Sequence, residues 1–216
     1  RPHGIILVTG PTGSGKSTLG LLLNRLMDPT EGRILVDGLD IREWEIDALR
    51  KAIGTVPQDA FLFSDSIAEN IAFGTLEADR SLVESYAELA HVADDVRGFP
   101  KGFDTVVGER GVTLSGGQKQ RVSIARALIK QPPMLVLDDA LSAVDTDTEV
   151  NILSGLRERI AGVTALLITQ RLSCVHLADR IYVLEEGVLV QEGTHSSLVQ
   201  APGIYAELYT LQNPDA

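Results

Sequence analysis

The sequence predicts an α/β fold in which a largely parallel sheet is interrupted by a helical insertion. Three observations carry this reading. Short apolar, β-rich runs alternate with segments of helical period, the order that βα units produce. A glycine-rich turn at residues 10–15 joins the first such run to the first helical one. From about residue 60 to residue 131 the period is mostly helical, and no strong strand breaks it.

Strands are expected over residues 5–9, 33–36, 53–56, 134–137, 164–168, 181–184 and 188–191. Helices are expected over 16–26, 81–91, 117–130, 146–160 and 204–211. Glu186-Gly187 between the last two strands has the chemistry of a tight hairpin turn. Residues 1–59 and 132–216 then form the α/β core, and 60–131 form a helical subdomain with a long connecting loop at 98–117.

The whole-chain balance narrows the partners. Of 216 residues, 30 are acidic and 19 basic, a formal net charge of −11. That disfavours nucleic acid as the primary partner and argues against a polybasic membrane patch. No apolar run approaches the roughly 20 residues a spanning helix needs, and no signal peptide opens the chain. Cys174 is the single cysteine, which suits a reducing, cytoplasmic compartment. The chain opens on Arg1, as a piece of a longer protein would.

Gly10-Pro11-Thr12-Gly13-Ser14-Gly15-Lys16-Ser17-Thr18 follows an expected strand and opens an expected helix, the context that the G-x-x-x-x-G-K-[ST] pattern requires. Glycines tolerate the backbone angles that let successive N–H groups face one phosphate, and the helix N-terminus adds its partial positive charge. Lys16 is placed to reach the β- and γ-phosphates, Ser17 to ligate Mg²⁺, and Thr18 to meet the α-phosphate. A chance glycine turn is the competing reading, and the flanks count against it. The core is therefore a phosphate-loop NTPase (RecA-like) core, with ATP and Mg²⁺ as the expected ligands.

A second apolar run ends in Asp138-Asp139. By itself this is a strand followed by a helix cap. Beside a phosphate loop, Asp138 suits the Mg²⁺ shell and Asp139 faces an attacking water.

Leu114-Ser115-Gly116-Gly117-Gln118, running into Lys119-Gln120-Arg121-Val122-Ser123-Ile124-Ala125-Arg126-Ala127-Leu128, sets a serine and two glycines at a second helix N-terminus. One reading is a plain N-cap with glycines for close packing; the other is a second anion site. Here the sequence resembles the ATP-binding cassette (ABC) family, from about residue 19 to the C-terminus. The resemblance implies a head-to-tail dimer in which the Ser115 motif completes a partner's ATP site. It makes Gln58 a Mg²⁺-touching glutamine and Ser142-Ala143-Val144-Asp145 a loop at the dimer interface. Asp145 also reads as an ordinary helix cap. The stretch from Phe61 through Phe63 to Phe73-Gly74, and Gly108-Glu109-Arg110-Gly111, look like the exporter branch, whose transmembrane domains meet these segments. That branch implies a location at the inner face of the membrane, with membrane contact only through the transmembrane partner. His195 reads as a structural cap.

Two positions depart from the family pattern. Asp139 stands where the family has Glu, and Gln170 where it has His. Asp is one methylene shorter, and a 1 Å misplacement can lose on the order of 10²-fold in rate. Gln170 donates a hydrogen bond but carries no charge. With Lys16, these are the catalytic candidates, and they suggest an impaired own site beside an intact Ser115 motif, as in a heterodimer; drift and an engineered trap are the blander readings. Only nine residues precede Gly10, so the family's N-terminal antiparallel β subdomain and its adenine-stacking aromatic are expected to be truncated. Residues 1–18 resemble type II secretion and pilus-assembly ATPases more than ABC proteins, as a hybrid or designed chain would. The alternatives are a hexameric ATPase of that kind, a non-hydrolysing ATP-gated module, and, less favoured, a soluble ABC protein of DNA repair or translation.

Overall fold

Unbroken apolar runs form the central strands, and the longer helices follow from apolar residues recurring every third or fourth position. In chain order the computed structural model has β1 (Gly4–Thr9), α1 (Lys16–Leu23), β2 (Leu35–Val36), β3 (Leu39–Asp40), α2 (Ile46–Ala52), β4 (Ile53–Val56), α3 (Ile67–Ala72), α4 (Arg80–Leu89) and α5 (Ala93–Arg97). These are followed by α6 (Gly116–Leu128), β5 (Met134–Asp138), α7 (Thr146–Arg159), β6 (Thr164–Ile168), β7 (Arg180–Glu185), β8 (Val188–Gly193), α8 (His195–Leu198) and α9 (Ile204–Gln212). The structure describes residues 4–75, 78–108, 112–159 and 162–214. The chain divides into two compact units.

The first unit comprises Arg1–Thr55, Pro133–Asp138 and Gly162–Ala216. Its sheet runs β4-β5-β6-β1-β7-β8. β1 pairs in parallel with β6 and β7, β5 pairs in parallel with β6, and β8 runs antiparallel to β7. The central strands are apolar on both faces, as buried parallel strands require. Val8, Ile41, Leu49, Ile53, Val136, Leu166 and Ile168 form one buried cluster, with Leu19 and Leu23 of α1 packed on it. Each such side chain contributes about 1.5–3 kcal/mol by leaving water. The register sets Val8 and Asp138 both opposite Ile168. Parallel strands in this register bring Gly10, Asp138 and Thr169-Gln170 to one carboxyl edge of the sheet, where α/β folds bind ligands.

One expectation changes here. The strand expected at 33–36 reduces to β2, which pairs only with β3 as a separate two-stranded ribbon. Asp37 and Gly38 turn it with φ of 50° and 81°, the left-handed pair of a tight hairpin. The hairpin at Glu186-Gly187 forms the same way, with φ of 49° and 81°.

The second unit comprises Val56–Pro132 and Asp139–Ala161. Helices α3, α4 and α6 start on side-chain caps at Ser66, Asp79 and Ser115. Val122, Ile124 and Leu128 of α6 are buried, with Ile67 and Ile71 of α3 and Val83 of α4. The unit takes in α7, which a boundary at residue 131 assigns to the sheet core. Close packing explains the difference: a Cβ at Gly155 of α7 would lie 3.3 Å from the Leu89 side chain of α4. The stretch 98–117 is not one featureless loop, since a 3-10 turn occupies Gly102–Asp104 and Val107 bridges Val112. Among the described residues, no helix is long and apolar enough to cross a membrane.

Candidate functional site

The phosphate loop lies wholly within the first unit. Gly10, Gly13 and Gly15 hold φ of 144°, 80° and 89°. A Cβ on Gly10 would meet the Leu184 carbonyl oxygen at 2.0 Å, whereas one on Gly13 would meet nothing within 4 Å. Gly10 is thus fixed by its neighbour strand and Gly13 by its backbone angle. Gly15 caps α1 without any side-chain hydrogen bond, so no capping side chain competes with an anion for the helix dipole.

Lys16 is buried, and its Nζ donates to Gly10 O at 2.9 Å, Pro11 O at 2.8 Å and Ser14 Oγ at 3.3 Å. Its charge is held inside the loop that it would help to fill. Ser17 Oγ donates to Asp138 Oδ1 at 3.0 Å. A hydroxyl and a carboxylate at this distance are the hard oxygen donors that Mg²⁺ takes, one or two protein ligands sufficing. Among the described residues there is no group of three or more His, Cys, Asp or Glu placed to hold a metal.

Gln170 follows β6 and reaches back to the loop. Its Nε2 donates to Thr12 Oγ1 at 3.1 Å, and that hydroxyl lies 3.3 Å from Gln170 Oε1. Thr12, Gly13, Ser17 and Thr18 are exposed. The loop is braced from its other side by the β7–β8 turn, where Gly187 N–H donates to Ser14 O at 3.1 Å.

The remaining candidates lie in the second unit. Ser115 caps α6 in a reciprocal box: Gln118 N–H donates to Ser115 Oγ at 3.2 Å, and Ser115 N–H donates to Gln118 Oε1 at 3.0 Å. Gln118 Nε2 donates onward to Asp95 Oδ1 at 3.1 Å, and Arg121 pairs with Asp95 at 2.8 Å. Ser115 and Gly116 are exposed. A Cβ on Gly117 would stand 2.7 Å from the Ala143 carbonyl oxygen, so glycine there permits the segment Ser142–Asp145 to approach the helix N-terminus. Asp145 accepts from Thr148 N–H at 2.9 Å and caps α7. The Thr148 amide and hydroxyl hold its carboxyl below the usual range. Gln58 is exposed, directly after β4.

Asp139 takes a left-handed φ of 45°, an uncommon conformation outside glycine. Gln120, to which the sequence pattern assigns no role, hydrogen-bonds the turn that begins at Asp139. Its Nε2 donates to Ser142 Oγ at 3.0 Å and Asp139 O at 3.3 Å, and its Oε1 accepts from Ala143 N–H at 2.9 Å. A glutamine buried on an otherwise apolar helix face was the one available hint.

The aromatic segment is also ordered from within. Arg126 donates to Asn70 O at 2.7 Å, Asn70 Oδ1 at 2.7 Å and Phe61 O at 2.9 Å, and stacks over the Phe63 ring. Phe61 and Phe73 remain about two-thirds exposed, at 66% and 67%. Beside them Phe61, Leu62, Val107, Leu114 and Lys119 line a cavity of about 340 Å³. Of the expected segment at 108–111, Glu109, Arg110 and Gly111 lie outside the described residues. His195 does not cap its helix. Thr194 does, paired with Ser197, while His195 Nδ1 lies 2.8 Å from Tyr205 Oη.

The family model described as ABC transporter matches residues 1–142. The chain is 48% identical over 96% of its length to an ATM1-type heavy metal exporter of Novosphingobium aromaticivorans, covering 34% of that protein. It is 47% identical over 100% of its length to an ATP-dependent lipid A-core flippase of Chromohalobacter salexigens, covering 37% of it. A mitochondrial iron-sulfur clusters transporter ATM1 of Kluyveromyces lactis is 46% identical, over 95% of this chain and 29% of its own. Among solved structures, a bacterial Atm1-family ABC exporter with ATP bound aligns with a TM-score of 0.93 at 48% identity, over 97% of this chain and 37% of that one. The chain spans about a third of the length of these curated relatives. Residues 1–18 lie inside the family match, so their expected likeness to secretion ATPases finds no support as a separate origin.

Proposed function

The chain belongs to the ABC transporter family, and from that premise we propose that it is the ATP-binding motor domain of an exporter, pairing head to tail with a second such domain. The observation that carries the reading is the presence in one chain of two glycine-built helix N-termini, at Gly15–Thr18 and at Ser115–Gly117. One chain needs only one γ-phosphate cradle, so the second is for a partner's nucleotide. The exposed Phe61, its carbonyl held by Arg126, and Phe73, packed on Phe63, offer the apolar surface for transmembrane domains. Relatives named for heavy metals, for lipid A-core and for iron-sulfur clusters stand within 46–48% identity, so this domain is the common engine and the cargo is chosen elsewhere.

In this reading Lys16 exchanges the loop oxygens for those of the β- and γ-phosphates, and the amides of the first turn of α1 receive the remaining charge. Ser17, Asp138 and Gln58 would hold Mg²⁺, which supplies charge neutralisation between the phosphates when bound. Asp139 orients the water that attacks the γ-phosphorus as the bridging P–O bond breaks. Gln170, already hydrogen-bonded to Thr12 of the loop, donates to the γ-phosphate without supplying a charge. The short carboxylate and the uncharged amide together make the chain's own site slow, and Ser115 completes the competent site of a partner.

The test is turnover of wild type against Asp139→Glu with Gln170→His, at concentrations where ATP-dependent dimers form. The double variant is expected to hydrolyse ATP at least about tenfold faster, part of the hundredfold that a 1 Å misplacement carries. Equal rates in the dimer would show that these two residues do not limit the chemistry.

A further inference from the structure

We infer that Gln212, the last residue of α9, is a positioning residue for Gln170 and through it for the phosphate loop; this rests on the ATP-site reading given above. Gln212 lies 42 positions beyond Gln170, yet its side-chain amide closes on the turn after β6 with both ends. Its Nε2 donates to Gln170 O at 2.8 Å, and its Oε1 accepts from Leu172 N–H at 2.9 Å. A surface glutamine lying by chance on a neighbouring loop makes one such contact with ease. Two at once, to alternate residues of one turn, fix the plane and the direction of that turn.

The turn so held is the one that aims Gln170. With its backbone tied to Gln212, its side chain meets Thr12 Oγ1 at 3.1 Å. Thr12 sits in the loop between Pro11, whose carbonyl binds Lys16, and Gly13. A continuous path of hydrogen bonds therefore leads from the end of α9 to the loop's exposed rim.

The other end of α9 is anchored firmly enough to make the path stiff. Tyr205 is fully buried, its N–H donates to Gln191 Oε1 at 3.0 Å, and its hydroxyl lies 2.8 Å from His195 Nδ1. His195 also packs on Tyr209, with ring centroids 4.8 Å apart. Helix α9 is thus a strap, bolted at Tyr205 and reaching the nucleotide site with Gln212. Nothing in the local sequence of residues 204–212 announces this, because the partners are brought together only by the fold.

Two substitutions separate the bonds. Gln212→Glu keeps an acceptor for Leu172 N–H but sets a carboxylate oxygen against the Gln170 carbonyl. Gln212→Met keeps the length and removes both. Leu211→Ala, next door and exposed, serves as the control for α9 itself. In the nucleotide-free protein, amide hydrogen exchange at residues 170–173 should rise about tenfold in Gln212→Met, with faster exchange at residues 11–14. Gln212→Glu should keep Leu172 protected and still loosen the loop. In the Asp139→Glu background, where Gln170 is kept, both changes should lower kcat about tenfold and leave KM within about twofold, whereas Leu211→Ala should change neither. A role limited to holding α9 down would instead raise exchange throughout 204–212 and spare the loop. That pattern, or loop exchange and kcat unchanged in both variants, overturns the proposal. If no variant binds Mg-ATP, the nucleotide reading fails, while the exchange at 11–14 and 170–173 still decides the strap.

Discussion

The two helix N-termini that carry the proposed chemistry are built on opposite plans. At α1 the cap is a glycine with no side-chain hydrogen bond, and the nearest charge, Lys16, is folded back on the loop's own oxygens. At α6 the cap is Ser115, already engaged with Gln118, which is itself tied to Asp95, the partner of Arg121. The first is an anion site in waiting, because its backbone donors have no competing side chain. The second is a finished surface, whose serine is turned toward its own helix. A bare cradle suits a nucleotide that enters and leaves one chain. A pre-capped end suits a face that docks on something already bound to another.

The largest expected effect sets these two plans against each other. Lys16→Ala removes charge-assisted hydrogen bonds worth about 1.5–3 kcal/mol each and should weaken equilibrium Mg-ATP binding about a hundredfold. Ser115→Ala removes a cap, costs about 1 kcal/mol of stability, and should leave monomer binding within about twofold. Its loss should fall on ATP-dependent dimerisation, read by light scattering. Equal damage to monomer binding by both variants would collapse the distinction.

A smaller effect concerns what holds the second region in shape. Gln120→Leu keeps the side-chain volume and deletes the bonds to Ser142 Oγ and Ala143 N–H. Leaving buried polar groups without these partners should destabilise the protein by about 2–3 kcal/mol. Dimerisation should weaken too, since the segment Ser142–Asp145 is no longer held against Gly117. An unchanged unfolding midpoint would show that Gln120 only fills space.

The same contrast explains what could be read in the sequence. The first region was legible because each of its requirements is local. Gly10, Gly13 and Gly15 answer to backbone angles, Lys16 and Ser17 to a fixed offset from them, and β1, β5 and β6 to unbroken apolar runs that also set their register. The short helices α2, α3 and α5, of five to seven residues, span two turns or fewer and show no period. The placing of α7 depended on Gly155 meeting Leu89, a contact between helices far apart in the chain. In the sequence His195 reads as the cap that Thr194 provides, because the two are adjacent and only geometry separates them. Gln212 carries no signal, and Gln120 only its place among the apolar residues of α6. Their chemistry is that of any polar residue until the fold supplies Asp139 and Ala143 for one, and Gln170 and Leu172 for the other.

The smallest effect is a matter of pH, and it too divides the regions. Helix α1 has no acidic residue in its own first turn and no side-chain cap, so no titrating side chain of its own caps it. In the second region Asp145 caps α7, and the Thr148 N–H and hydroxyl lower its pKa in the folded state. A lowered folded pKa means that the stabilisation is fully present above the unfolded value, about 4. It fades as pH falls from there and is gone below the folded pKa. Asp145→Asn keeps a capping oxygen that does not titrate. The stability difference between the two proteins, from urea unfolding, should be level between pH 7 and about pH 5 and then shrink toward pH 3. A difference that persists undiminished at pH 3, or none at pH 7, would remove Asp145 from the set of caps that hold the second region closed. The contrast would then rest on Ser115 and Gln118 alone.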